Sequence, residues 1–349
     1  MHWAKFKPRV RYDLTGSEVA HFRMDSLPIT ISDLGLDGAS HPRYTPLREA
    51  IAERYQVTSD QVVAADGTSM ANFLAMATLI SPGDEVLVEH PTYEPLLSAA
   101  SFLGARIKRF VRDPDKGFSL DPTSVERQIS PSTRLLVITN LHNPSCSLAS
   151  DEQLQEIGAI AARHHAFVLV DEVYLDTARS AGSSAVHLGS NFVCTNSLTK
   201  AYGLSGLRCG WILAEPQTAE SMWRLNDLFG VNQAHPAERL AELAFAHIDE
   251  ISGSNWAVLA ENRALWNRFA SARTDLDCPP ANHGVTAFPR WTGGDTRRLD
   301  EELRSRHDTA VVPGHWFEME DHFRIGFALP RTDFEEALLR LEAGLEKLR

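Results

Sequence analysis

The sequence predicts an α/β fold: a mostly parallel central sheet covered by helices on both sides. Three observations predict it. Short apolar runs alternate with helical patterns between about residues 45 and 215. Two of those runs, Leu135-Leu136-Val137-Ile138 and Phe167-Val168-Leu169-Val170, are apolar without alternation, as strands buried on both faces are. The polar residues able to carry chemistry, Tyr93, Asn143, Asp171, Tyr174 and Lys200, all sit at or just beyond the ends of such runs. In open α/β sheets, ligands collect beyond the carboxyl ends of the strands.

Residues 1–37 show no strong periodicity and read as an arm that joins a small domain. Thr45-Pro46 offers an N-cap followed by proline in the first turn, and Leu47, Ala50, Ile51 and Tyr55 follow at helical spacing. Gln61 to Asp66 reads as a strand, Gly67-Thr68-Ser69 as a link, and Met70 to Ile80 as a helix. From these residues alone the link is either a tight turn or a cradle that aims backbone N–H groups at an anion. Asp84 to Glu89, Arg106 to Val111 and Arg134 to Thr139 read as further strands, the last followed by the turn Asn140-Leu-His-Asn143-Pro144. Ser150 and Gln153 form a capping box ahead of a helix with Leu154, Ile157 and Ala161 inward. The strand from Phe167 ends in Asp171-Glu172-Val173-Tyr174.

Composition shifts after about residue 235. A large domain over 38–235 and a smaller one over 236–349 are therefore expected. The second contains helices from His235 to Ile248 and Trp256 to Arg273, and short strands near Val311 and Phe323. A last helix from Thr332 has Glu335 placed for a second capping box.

The chain has 349 residues, a net charge of −12 and 43% hydrophobic residues, which suits a globular enzyme and argues against nonspecific binding to nucleic acid or anionic membrane. Cys146, Cys194, Cys209 and Cys278 show no C-x-x-C spacing, so they are expected as reduced, buried thiols of a cytoplasmic protein. The N-terminal run lacks the apolar core of a signal peptide, and no run reaches the ~18 apolar residues of a membrane span. There is no Walker loop, no G-x-G-x-x-G and no H-E-x-x-H, so no metal site is expected and the histidines read as surface and loop residues. His41, His142 and His235 are the ones to inspect near a pocket.

The chain is organised around Ser197 to Gly210, a polar, glycine-rich link between two apolar strands that presents Lys200 and Arg208. A lysine forms an imine where its pKa is lowered or an aldehyde partner is supplied. An aldehyde cofactor held by lysine, with an acid on its ring nitrogen, describes pyridoxal 5'-phosphate, PLP. With Asp171, Tyr174, Asn143-Pro144, Ser197-x-x-Lys200 and Arg208 in this order, the chain resembles the class I/II aminotransferases of PLP fold type I, from about residue 42 onward.

The resemblance implies a homodimer whose sites lie at the subunit interface, and a residue-by-residue set of roles. Lys200 would carry the cofactor as a Schiff base. Asp171 would pair with the ring nitrogen. Tyr174 and Asn143 would reach the ring's phenolic oxygen, and Tyr93 would stack on the ring. Ser197, Arg208 and the backbone at Gly67, Thr68 and Ser69 would hold the phosphate, and Arg324 the substrate's α-carboxylate. The activity implied is transfer of an amino group between an L-amino acid and a 2-oxo acid. A lyase, decarboxylase or cyclising enzyme on the same fold is the alternative. Two positions depart from the family pattern. Gly38 falls where many members have a tyrosine that reaches the neighbouring subunit's phosphate, and Cys146 replaces the usual glycine or threonine. A regulator that uses the same domain as an effector sensor would need a DNA-binding module ahead of it, and about forty residues are too few.

Overall fold

A computed structural model describes residues 6–36, 41–178 and 183–348. The expected departure at Gly38 lies outside them. The central sheet has seven strands: β1 (Val62–Asp66), β2 (Glu85–His90), β3 (Arg106–Val111), β4 (Thr133–Thr139), β5 (Phe167–Asp171), β6 (Phe192–Ser197) and β7 (Cys209–Leu213). Their spatial order is β1-β7-β6-β5-β4-β2-β3. Only β7 runs antiparallel to its neighbours, pairing Ser197 with Gly210 on one side and Asp66 with Cys209 on the other. Thr139 of β4 pairs with Asp171 of β5, and Asp171 with Thr195 of β6, so these carboxyl ends share one edge.

Strand period sorts the apolar residues onto two faces. Leu136, Ile138, Val168 and Val170 pack with residues of α1 (Thr45–Tyr55), α5 (Asp151–Arg163) and α7 (His235–Ala246). Leu135, Val137 and Leu169 face the other way, onto α2 (Gly67–Leu79), α3 (Glu94–Phe102) and α6 (Pro216–Asn226). Between them in sequence, α4 (Pro122–Gln128) covers the outer edge. The uninterrupted apolar runs are thus explained by burial on both sides.

A further core forms around the antiparallel strands Thr286–Ala287, Val312–Pro313 and Phe323–Gly326, with α9 (Thr296–Arg306) and α10 (Arg331–Lys347) against it. The arm supplies Tyr12, Leu14 and Val19 to this core and Leu27 to the large one, so it is anchored at both. The 24-residue α8 (Ile248–Ser271) crosses between cores, with Ile251 in one and Trp266 in the other. A domain break near residue 235 is proposed on that footing, with α7 still packed on the sheet.

Several local expectations need correction. α1 starts at Thr45 and is preceded by Tyr44, so Thr45 does not cap it. α2 begins at Gly67 rather than Met70. The second capping box does not form: α10 starts at Arg331 after Pro330, and Glu335 instead accepts from Arg331 at 3.1 Å. Cys278 is only half-buried, while His142 and His322 are core residues. The capping box of Ser150 and Gln153 is present. Among the described residues no helix is long and apolar enough to cross a membrane, and no cluster of His, Cys, Asp or Glu could hold a metal.

Candidate active site

The carboxyl edge of the large sheet carries most of the expected residues, and Arg324 comes to it from the strand Phe323–Gly326 of the small sheet. Asp171 closes β5 and is 5% exposed. Its Oδ2 accepts from Asn72 Nδ2 at 2.7 Å and its Oδ1 from the Val173 N–H at 3.1 Å. Asn72, on the second turn of α2, is itself held by Thr195 Oγ1 at 2.6 Å. Burial nevertheless pushes the Asp171 carboxyl up to about 6, against those hydrogen bonds and the nearby Lys200 charge. An acid buried with amide donors, and with no cation in contact among the described residues, could receive a protonated ring nitrogen.

Lys200 is half-buried, and burial lowers its ammonium pKa. The opposing influence of Glu18 is next in size, and Arg324 lowers it further. Nζ lies 3.4 Å from Ser17 Oγ and 3.6 Å from Glu18 Oε2, both on the arm. Tyr174 is buried, and its phenol is raised well above the usual range by burial. Tyr93, at the start of α3, is raised to about 12, first by burial and then by the Asp171 charge. Arg324 is 8% exposed and faces the same group of residues. One Nη donates to Asn143 Oδ1 at 3.1 Å and the other to the Thr15 carbonyl at 3.4 Å, while Nε has no partner. A buried guanidinium so placed could hold a carboxylate.

The opposite pole is an anion cradle. Gly67 takes φ of +80°, and α2 starts there without a side-chain cap, which leaves its first N–H groups available. A Cβ on Gly67 would overlap the Arg208 guanidinium, which is anchored on the Asp66 carbonyl at 3.0 Å. Ser197 is fully buried at the end of β6, and its Oγ accepts from the Thr199 N–H at 3.2 Å. Thr68 Oγ1 is buried with no hydrogen-bond partner, while Ser69 and Arg208 are exposed. The orphaned hydroxyl, open helix end and fixed guanidinium suit a phosphate. The acid, lysine and cradle thus fit PLP.

The expected residues therefore fall into two groups: Asp171, Lys200, Tyr93, Tyr174 and Asn143, joined by Arg324 from the small sheet, and Gly67, Thr68, Ser69, Ser197 and Arg208. Of the three histidines, His142 is wholly buried and spans Ser145 Oγ at 2.7 Å and the Pro91 carbonyl at 3.0 Å, a loop brace rather than a pocket group. His41 is exposed, its ring 6.3 Å from that of His235. Cys146 is buried with Sγ 3.2 Å from Thr286 Oγ1. The sequence reading missed Asn72, Ser17 and Glu18. Nothing local marks them, since they meet Asp171 and Lys200 only through tertiary folding.

Residues 38–341 match the family model for aminotransferase class I and II. Capreomycidine synthase from Streptomyces vinaceus is 33% identical over 304 residues, covering 86% of this chain and 78% of that protein. An aspartate aminotransferase from Streptomyces avermitilis is 25% identical, covering 92% and 87%. Among solved structures, a PLP-dependent aminotransferase from Streptococcus suis superposes with a TM-score of 0.91 at 25% identity over 97% of this chain and 94% of that one. The PLP-dependent cyclase OrfR gives 0.88 at 25% identity over 99% and 96%. With the family model spanning most of its length and the lysine, acid and phosphate cradle in place, this chain belongs to the class I and II aminotransferase family and is a PLP-dependent enzyme of fold type I.

Proposed function

We propose that this enzyme removes the Cα proton of an L-α-amino acid and passes the amino group to a 2-oxo acid. The observation that carries the reading is geometric: Asp171 closes β5 on the edge from which Lys200 follows β6, and Arg324 of the small sheet reaches Asn143 at that edge at 3.1 Å. Bound PLP supplies an electron sink for the bond broken at Cα. Asp171 would keep the ring nitrogen charged, with Asn72 fixing the carboxylate. Tyr174 and Asn143 would border the ring's oxygen, and Tyr93 its face. Arg324 would hold the substrate carboxylate and so oppose its loss as carbon dioxide. Lys200, with its pKa lowered by burial, would take the Cα proton and redeliver it nearby.

A second reading, ring closure within the amino acid, is favoured by the likeness to capreomycidine synthase and to the cyclase OrfR. It shares the Cα step and differs in the bond made next. One experiment separates them: a single half-reaction of holoenzyme with its best amino acid and no acceptor. Transamination leaves the cofactor aminated with one equivalent of 2-oxo acid, and a second 2-oxo acid restores it. Return of the cofactor unaided, with a cyclic amino acid and no 2-oxo acid, overturns the first reading in favour of the second.

A homodimer is proposed on the exposed apolar Phe102, Leu228, Phe229 and Val231. Phe102 and Phe229 ring-contact Phe73 of α2, the helix whose start forms the open phosphate cradle. The four cysteines, none in a disulfide, support a reducing compartment such as the cytoplasm.

A further inference from the structure

The arm places an acidic side chain beside the lysine, and the fold holds it there from both ends. Leu14 accepts from the Gly326 N–H at 2.7 Å, two residues from Arg324. A Cβ on Gly326 would overlap the Gly16 carbonyl, so the backbone runs tight against that strand. Beyond Glu18, Val19 N–H donates to the Lys200 carbonyl at 3.0 Å and Phe22 N–H to the Gly203 carbonyl at 3.1 Å. Thr15 therefore reaches Arg324, and Ser17 and Glu18 reach Lys200, within one short fixed segment.

Charge matching around the site leaves this acid over. Asp171 serves the ring nitrogen, Arg208 the phosphate and Arg324 the substrate's carboxylate. Among the described residues Lys200 is the cation nearest Glu18, at 3.6 Å, and it is committed to the cofactor aldehyde before the amino acid arrives. Among the described residues the other cationic candidate, His21, is exposed and its Nε2 lies 4.0 Å from Glu18 Oε1. A half-buried carboxylate fixed beside the lysine that meets the incoming amino acid favours a cation in that ligand.

We propose that Glu18 selects the substrate by its side chain, and that the substrate is an amino acid with a distal amine or guanidine. This rests on the reading of the site as one for a PLP-bound amino acid. The neutral alternative is that Glu18 only accompanies Lys200 in the cofactor-free protein and ignores the substrate.

The test uses Lys200→Ala protein loaded with PLP, in which a bound amino acid is not turned over, and reads the dissociation constant from the cofactor's absorbance. L-Arginine is compared with L-citrulline, and L-lysine with L-norleucine, each pair alike in shape and different in charge. Ten-fold or tighter binding of the charged member is expected, falling to within two-fold in Lys200→Ala/Glu18→Gln. Equal affinities within the pairs, or a preference that survives Glu18→Gln, would overturn the proposal while leaving the amino-acid site intact. Absence of any spectral change with all four would overturn it together with the reading on which it rests.

Discussion

At the scale of single residues, Asp171 makes a prediction that needs no substrate. Its carboxyl is lifted from an ordinary 3.8 to about 6 by burial, so the cofactor-free native state binds that proton more tightly than the unfolded chain. This stabilisation is fully present below the unfolded pKa and is lost as pH rises through about 6. Relative to Asp171→Asn, the cofactor-free wild type should lose up to about 3 kcal/mol between pH 4 and pH 7.5. Denaturant melts across that range check it, since Glu172 and Glu238 are shifted in the same direction in both proteins and cancel. A flat difference would mean that the carboxyl is not desolvated as the geometry requires. Lys200 makes a second prediction: borohydride should fix PLP to the peptide that carries it, and no such adduct should form in Lys200→Ala. The ends of β5 and β6 were legible because Asp171 closes one apolar run and Lys200 follows the end of another by three residues. Asn72 was not, because a helical asparagine shows nothing in sequence of the acid it meets 99 residues later.

At the scale of elements, two junctions set the geometry of the site. The loop that carries Asn143 hangs on a wholly buried ion pair, Glu89 with Arg112, whose closest atoms are 2.7 Å apart. Glu89 also accepts from Thr139 N–H at 2.8 Å and Thr139 Oγ1 at 2.6 Å, and that hydroxyl oxygen accepts from the Asn143 N–H at 2.9 Å. Arg112→Met should cost about 3–5 kcal/mol by leaving an unpaired buried carboxylate. Adding Glu89→Leu should recover part of that, as measured by equilibrium unfolding; no recovery would mean that the carboxylate is not the source of the loss. At the other junction, Gly67→Ala combines a left-handed backbone with a clash against Arg208. Displacing that guanidinium removes a charge-assisted contact of about 1.5–3 kcal/mol, so PLP affinity should fall roughly ten- to a hundred-fold by spectral titration. Unchanged affinity would remove Arg208 from the cradle. The period of the strands and the Ser150 box could be read because both are local patterns. The Thr332 to Glu335 box fails because α10 starts at Arg331, which puts Thr332 inside the helix, and Glu335 pairs with Arg331 at the i, i+4 spacing.

At the scale of the whole molecule, what escaped the sequence is how the arm is used. Residues without periodicity read as an arm, yet Tyr12, Leu14 and Val19 enter one core and Leu27 another. Contacts that join residue 19 to residue 200 leave no trace in a local window. The same limit applies to association, which shows only as a surface: Phe102 and Leu228 are 80% and 77% exposed, and Phe102 meets Phe73 of α2, the helix that starts at the proposed phosphate cradle. Large apolar side chains clustered on one face mark a site of contact, and a second copy would both cover them and close the cradle. The chain should therefore sediment as a dimer at micromolar concentration. Placing two like charges in the patch, with Phe229→Asp and Val231→Asp, should shift it to monomer, because neither carboxylate could be desolvated against a partner. If the patch completes the cradle, the monomer should also retain PLP less well on gel filtration while Asp171, Lys200 and Arg324 are untouched. A wild-type monomer that keeps its cofactor through the same column would show that one chain suffices to hold the phosphate.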